Sequence, residues 1–439
     1  MFFFFLTGGF HLLNKNWCPV KYADFAVVYL IAVALFHAYN GNYKFFYPQI
    51  KIYKVVTIIG LYITLEFVRT LVLQEESLSF ALANYRTYIP LFSFWLVQEL
   101  NKREISSLLK QISVITIIST VLFDLQPLLD IKIFQHANIG RRVNELGLER
   151  HRNIPYLAYF FLLLATVRMD FNRWKTVALL FVFLIAIILT QHRAVMIAYV
   201  FCVSLYLLMT QKGGKFVQYS MVGVVVLLFA GEAIMTRFEK GGRNSSTLDD
   251  IKNVIALNYE SAVQNEFEDE NGTLSFRVLL LLERGDYMLH HPRYAAFGIG
   301  TRHEDSPKTK QEFHFILGTI NHRTNLIGQI SSGDLAWVNP LMRFGFFGIA
   351  LFLYLSWAIV RFLYKNKEIS NVTMTALLFY LFLIITSFKN DHLYGNMQLF
   401  FIYLLIEYIR YSNVKYNKLK LLKFIIRKGR NLNKKYSEV

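Results

Sequence analysis

The stretch S-F-R-V-L-L-L-L-E-R-G-D-Y-M-L-H-H-P, Ser275 to Pro292, is charged and amphipathic in a chain otherwise built of apolar runs. Read as a helix, it sets Arg277, Arg284 and His291 on one stripe and Leu279, Leu282 and Leu289 on another face. Pro292 is expected to stop the helix near His291, because proline disfavours helical geometry in the residue before it. Such a helix suits a membrane surface, with its leucines down and its arginines presented to an anion. It lies inside a polar segment, Thr236 to Trp337, that is too long and too charged for a connector and is therefore where chemistry is expected.

On both sides of that segment the chain is greasy. Of its 439 residues 54% are hydrophobic, 16% aromatic and only 18% charged, which reads as an all-α polytopic membrane protein. A spanning helix needs about 20 mainly apolar residues, and roughly twelve runs approach this. They are Met1 to Leu13, Phe25 to Tyr39, Val55 to Leu73, Phe80 to Gln98, Ile112 to Leu129, Pro155 to Val167, Thr176 to Thr190, Ala194 to Met209, Phe216 to Ala230, Phe344 to Leu363, Val372 to Ser387 and Met397 to Ile409. The first has no basic start and no small-residue cleavage site, and is expected to be a retained span rather than a signal peptide. The expected organisation is a transmembrane bundle over 1–235, a large outward loop over 236–337, further transmembrane helices over 338–411 and a basic tail over 412–439.

The formal charge of +17 is explained by orientation rather than by nucleic acid, which is not expected as a partner. Basic residues fall in alternate connections: Lys44, Lys51 and Lys54, then Lys102, Arg103 and Lys110, then Arg173 and Lys175, then Lys212 and Lys215, then Arg361, Lys365 and Lys367. With the lysines and arginines of the tail they put both termini in the cytoplasm. Leu419, Leu422 and Ile426 suit an amphipathic tail helix on the anionic leaflet, or the tail is simply solvated. Cys18 and Cys202 are the only cysteines, so neither a disulfide framework nor a thiol metal site is indicated.

One outward loop breaks the charge pattern. Arg141, Arg142, Arg150 and Arg152 lie in H-A-N-I-G-R-R-V-N-E-L-G-L-E-R-H-R-N-I-P, where short translocated loops avoid such residues, and Arg193 begins a span on the same face. An anionic ligand is the simplest use for them. Glu66, Arg69 and Arg86 are ionisable groups in apolar runs and are expected to cluster at the floor of a cavity, or to pair structurally. His290, His291, His303, His314 and His322 show no metal-ligand spacing, so no metal is expected. No phosphate-binding glycine loop is present, which disfavours ATP-driven transport by this chain alone.

In order and spacing these pieces resemble the O-antigen polymerase and ligase superfamily of bacterial membrane glycosyltransferases. The resemblance covers about Arg141 to Gly348: R-R-V-N-E-L-G-L-E-R-H-R-N before a span, T-Q-H-R-A at Thr190 to Ala194 where the family tends to have Thr-x-Ser-Arg-Gly, Arg277 with H-P-R-Y-A-A-F-G-I-G, and D-L-A-W-V-N-P-L-M-R-F-G-F-F-G from Asp334 to Gly348. Ligases place a His-Asn pair where Asp334 and Leu335 stand, and an aspartate there is more like the repeat-unit polymerases. The resemblance implies an inner-membrane enzyme of the GT-C-like kind with its large loop in the periplasm. It would join polyprenyl-pyrophosphate-linked oligosaccharide units, donor to acceptor, without cofactor or metal, beside a flippase and a chain-length regulator.

The arginines are then expected to stabilise the leaving pyrophosphate with bidentate, charge-assisted bonds. Arg193 and Arg277 carry that role, Arg284 and Arg152 support it, and Arg142, Arg86, His291 and His314 are further binding candidates. Asp334 is the first candidate for the base that takes the acceptor hydroxyl's proton, with His322 and His314 behind it; Asp334 suits a helix cap equally well. A ligase attaching finished glycan to lipid A core is the nearest alternative, and a lipid-linked oligosaccharide flippase is the alternative from another class.

Overall fold

Hydrocarbon offers the backbone no hydrogen-bond partners, so apolar runs close their own bonds as helices. A computed structural model describes residues 1–7, 22–129, 139–143, 149–151, 154–155, 157–170, 173–190, 192–210, 217–222, 273–318, 320–321, 326–330, 335–388 and 392–413. Helices occupy Phe2–Leu6 (α1), Tyr22–Tyr39 (α2), Lys51–Val72 (α3), Leu78–Tyr85 (α4), Phe94–Gln98 (α5), Lys102–Leu129 (α6), Ala158–Arg168 (α7), Trp174–Thr190 (α8) and Arg193–Thr210 (α9). There follow Thr273–His290 (α10), Pro292–Ala295 (α11), Pro307–Glu312 (α12), Val338–Lys365 (α13), Asn371–Thr386 (α14) and a helix over 396–413 (α15). Two small antiparallel ladders interrupt the all-α expectation: Ile139–Val143 (β1) with Glu149–His151 (β2), and Ile320–Asn321 (β3) with Leu326–Ile327 (β4).

Among the described residues five helices are long and apolar enough to cross a membrane: α2, α3, Lys102–Pro127 of α6, α9 and α13. Their outward faces are as apolar as their inward ones. On α3, Ile52, Val56, Ile59 and Ile63 are buried, while the opposite stripe of Leu61, Leu65, Val68 and Val72 is exposed, Leu65 by 67%. A stripe of that kind is a lipid-facing surface; in water it would be an aggregation site.

The run Phe80 to Gln98, expected as one span, is broken into α4, a 3-10 turn at Ile89–Ser93 and α5. Pro90 sits at the start of the turn and lacks the N–H that a continuous helix would need there. Of the expected span at Met1 to Leu13 residues 1–7 are described, of that at Phe216 to Ala230 residues 217–222, and the tail beyond residue 413 lies outside the described residues.

α14 and α15 form the centre of the bundle, where Leu377, Phe379, Tyr380, Phe401 and Leu404 are almost wholly buried. α14 packs on α7, α9 and α13. It runs antiparallel to α13, since a short turn joins them at one end and the Ala336 amide donates to the Ser387 carbonyl at 3.0 Å at the other. The ring of Tyr159, at the start of α7, lies 4.9 Å from that of Phe382 near the end of α14. Short connections from α7 through α8 to α9 alternate direction, so Arg193 begins α9 at this same end.

At that end sits the unit over 273–330. α10 does not lie flat with its arginines outward. It buries Leu279, Leu280 and Met288 against Tyr294, Ile299, Phe313, Phe315, Leu341 and Met342, and leaves Leu282 and Leu289 exposed. The unit is fixed to α13 by backbone. The amides of Ile299 and Gly300 donate to the carbonyls of Met342 (2.9 Å) and Arg343 (2.8 Å), and the Phe347 amide donates to Ala296 (3.1 Å). Gly298 has φ +68° and Gly345 φ +63°; a Cβ on the first would overlap the Arg343 carbonyl group, and on the second the carbonyl oxygens of Ala295 and Ala296. Each glycine therefore fills the space against the other's segment and adopts a backbone that L side chains rarely take.

Gly298→Ala is expected to loosen this docking by at least about 2 kcal/mol, from the left-handed backbone and the overlap together. Hydrogen exchange of the 298–303 amides in purified protein measures it; unchanged protection would show that the close approach is not a constraint.

Candidate functional site

The loop Phe297 to Arg302 rests on the end of α3 and on α4. Arg69 Nε donates to Glu66 Oε2 at 2.7 Å, and its Nη2 donates to the Gly298 carbonyl at 2.7 Å and to Phe297 at 3.3 Å. Thr70 Oγ1 accepts the Thr301 amide at 3.0 Å, and Asn84 Nδ2 donates to the carbonyls of Thr301 (3.2 Å) and Arg302. Lys308 Nζ reaches the carbonyls of Gln74 and Glu75 at 2.8 and 2.9 Å, and Ser306 Oγ donates to Glu76 Oε2 at 2.6 Å. Beneath these contacts Arg302 is buried between Glu312, which it pairs with directly, and Glu76 at 3.9 Å.

The expected cluster of Glu66, Arg69 and Arg86 does not form. Glu66 and Arg69 pair with one another, while Arg86 Nη1 turns to Asp24 Oδ2 at 3.1 Å. Glu66 is the nearer acid for Arg69, three residues away on the same helix face. Arg86 leaves α4 at its C-terminal end and meets α2 instead, which removes it from the candidate binding residues.

Arg284 is corrected as well. It is 1% exposed and spends its guanidinium on protein: Nε donates to the Gln329 carbonyl (3.2 Å), Nη2 to Leu317 (2.6 Å) and Gly328 (3.2 Å), and Nη1 to Glu283. Its plane lies 3.8 Å from the Phe315 ring centroid. Glu283 in turn accepts the amides of Ile316 at 2.8 Å and Leu317 at 3.3 Å. This adjacent ion pair holds the 315–317 and 328–329 segments together; a buried pair with its remaining groups satisfied is structural.

Arg277 lies two turns before Arg284 on the same stripe of α10 and is half-buried. Arg193, also half-buried, opens α9 at the end of the bundle where the 273–330 unit sits. The two belong to different packing neighbourhoods: α10 lies on α13 and α11, α9 on α14, α7 and α8. Arg142 is on β1, in the hairpin whose β2 strand packs on α8. His291 is exposed, stacks on Tyr287 with centroids 4.0 Å apart and holds the Tyr287 carbonyl through Nδ1 at 2.8 Å. His314 is exposed. Asp334, His322 and Arg152 lie outside the described residues.

Sequence reasoning passed over Glu76, Glu283 and Glu312, the acids that neutralise the buried arginines. The signal available was the adjacent Glu283 and Arg284 in a leucine run, opposite charges that only a buried, paired site accommodates. Burial raises the Tyr294 phenol, and its hydrogen bond to Glu312 raises it further; burial likewise pushes Tyr287 up to about 12. Burial alone would raise Glu312, but the bonds from Tyr294 and Arg302 and the charges of Arg302 and Arg293 outweigh it and hold the carboxyl below its ordinary value.

Arg284→Ala is expected to cost about 3 to 5 kcal/mol by stranding Glu283, and Arg284→Lys should not restore it because one ammonium cannot reach three carbonyls; thermal unfolding of the two variants checks this. A depressed glutamate stabilises the fold fully above its unfolded pKa and loses that contribution as pH falls through the folded one. Docking of the 273–330 unit should therefore weaken on acidification below the ordinary glutamate range, about 4.3, and Glu312→Gln should flatten that acid limb in a proteolysis-versus-pH series. No known protein-family model matches the chain, and no curated protein is significantly similar to it.

Proposed function

We propose that this protein is a membrane glycosyltransferase that polymerises polyprenyl-pyrophosphate-linked oligosaccharide units for a surface polysaccharide. One observation carries the reading. The two stretches H-P-R-Y-A-A-F-G-I-G and P-L-M-R-F-G-F-F-G, which bear the resemblance to the O-antigen polymerases, are interlocked through Gly298, Gly300 and Gly345 at the end of the bundle where Arg193 and Arg277 also stand. The full reading includes about twelve spans, a GT-C-like arrangement, cytoplasmic termini and a periplasmic large loop.

In this reaction the bond between the anomeric carbon and the pyrophosphate oxygen breaks, and the leaving pyrophosphate keeps the electron pair. The acceptor hydroxyl oxygen bonds to the anomeric carbon and gives its proton to a base, for which Asp334 is the candidate. Arg193 and Arg277 neutralise the charge that grows on the leaving group. Arg284 and Arg86 act at a distance, holding the fold that presents them.

Loss of one charge-assisted bond, about 1.5 to 3 kcal/mol, should lower turnover at least about tenfold. Arg277→Ala and Arg193→Lys, each expressed at the normal level, are expected to shorten or abolish the polymer ladder in a complemented deletion strain. A full-length ladder from both would overturn the assignment, and a lipid-linked ladder persisting in the deletion strain itself would point to the ligase.

A further inference from the structure

Beside the final turns of α3 lie two pieces of irregular backbone, the Ala295–Gly300 turn and the break in α13 at Gly345. Tyr62 donates its hydroxyl to the Phe344 carbonyl at 3.0 Å, and its ring is 5.1 Å from that of Phe347. Seven residues further along α3, Arg69 holds the carbonyls of Phe297 and Gly298. At about 1.5 Å per residue, Tyr62 and Arg69 stand roughly 15 and 5 Å short of Val72, where α3 ends. The 22 residues of α3 measure about 33 Å, against a hydrocarbon core of about 30 Å. An α3 that spans this core therefore holds the turn within the hydrocarbon and not above it.

Two observations say what surrounds the turn. The first is its surface. Leu65 lies three residues after Tyr62 and four before Arg69, so it stands between them in the exposed apolar stripe of α3. Phe297 and Phe347, with rings 6.1 Å apart, border that stripe and are each 48% exposed. On their other flank the exposed face of α13 runs from Phe346 and Phe347 to Leu353, Tyr354 and Trp357 at helical spacing. Phe297 thus joins two lipid-facing stripes into one surface.

The second is its backbone. The amides of Gly298, Ile299, Gly300 and Thr301 all donate to protein, and the carbonyls of Ala296, Phe297, Gly298, Thr301 and Arg302 all accept from it. Irregular backbone persists at hydrocarbon depth only when protein satisfies it. Arg69, itself paired with Glu66, serves two of those carbonyls.

We propose that the Ala295–Gly300 turn is immersed in the bilayer, with Phe297, Phe346 and Phe347 against the acyl chains of the leaflet at the Val72 end of α3. The partner is lipid hydrocarbon because the patch continues the outward faces of two helices long and apolar enough to span, α3 and α13. The Glu66 and Arg69 pair then has a task, to complete the hydrogen bonds of a turn that lipid cannot serve. The inference needs α3 and α13 to cross a membrane; it goes beyond the polymerase reading and does not depend on it.

The test is spin-label accessibility in the full-length protein reconstituted in phosphatidylcholine vesicles. Cys18→Ala and Cys202→Ala remove the native thiols, and Phe297→Cys, Phe347→Cys, Leu65→Cys or Glu75→Cys carries the nitroxide. Collision with oxygen, which concentrates in hydrocarbon, is compared with collision with a water-soluble nickel chelate. Labels at 297 and 347 are expected to show the high oxygen-to-nickel ratio of the label at 65, and not the low ratio of the label at 75, an exposed position beyond the end of α3. A ratio at 297 and 347 matching that at 75 overturns the inference, as does nickel access at 65. Little collision with either reagent overturns its lipid part in favour of a protein neighbour. A second arm uses unsubstituted protein and stands even if the variants fail to fold. A phospholipid with a diazirine at mid-chain is expected to crosslink to the tryptic peptide Tyr294 to Arg302. Crosslinks only from a headgroup-labelled lipid, or from neither lipid, overturn the inference.

Discussion

The backbone contact between the Ala295–Gly300 turn and the Met342–Phe347 stretch is what the rest of the molecule depends on. Three backbone hydrogen bonds cross it, and two glycines in left-handed geometry allow the chains to approach closer than any Cβ permits. Everything polar in the neighbourhood is arranged around it: Arg69 reads the carbonyls of Phe297 and Gly298, Thr70 takes the amide of Thr301, and Arg343 reaches the carbonyl of Arg302. With the contacts of Lys308, Ser306 and Asn84 it fastens the 273–330 unit to α13 and to the α3–α4 corner.

Buried charge in this region follows one rule. Glu66 pairs with Arg69 and Glu283 with Arg284, and both pairs reach loop backbone with their remaining groups, while Arg302 pairs with Glu312, whose other oxygen accepts the Tyr294 hydroxyl. The pairs contribute specificity of position as well as stability, because each guanidinium has a planar fork that fits only one set of carbonyls.

Much of the bundle was legible in the sequence, since apolar runs in a membrane have one available fate. The helix at Thr273–His290 was legible too, down to its stop before Pro292. What periodicity could not say was which stripe of that helix faces inward. Arg277, Arg284 and His291 share a spacing but not an environment, because Arg284 meets the carbonyls of Leu317, Gly328 and Gln329, more than thirty residues downstream, and His291 meets only Tyr287. Arg86 was misplaced for the same reason: its partner Asp24 is sixty-two residues upstream, and no local spacing reports it. The break in the Phe80 to Gln98 run, by contrast, was written in the sequence as Pro90.

The interlock also bears on the order in which the chain is assembled. The turn at Ala295–Gly300 finds its inter-segment backbone partners in residues near the start of α13, and the hydrophobic centre beneath α10 is completed by Leu341 and Met342. During synthesis the 273–330 stretch must therefore wait, unfinished, until the start of α13 through Phe347 has emerged behind it. Maturation of this domain is thus coupled to membrane integration of the next helix, and a truncation that stops short of Gly345 leaves it without its docking partner.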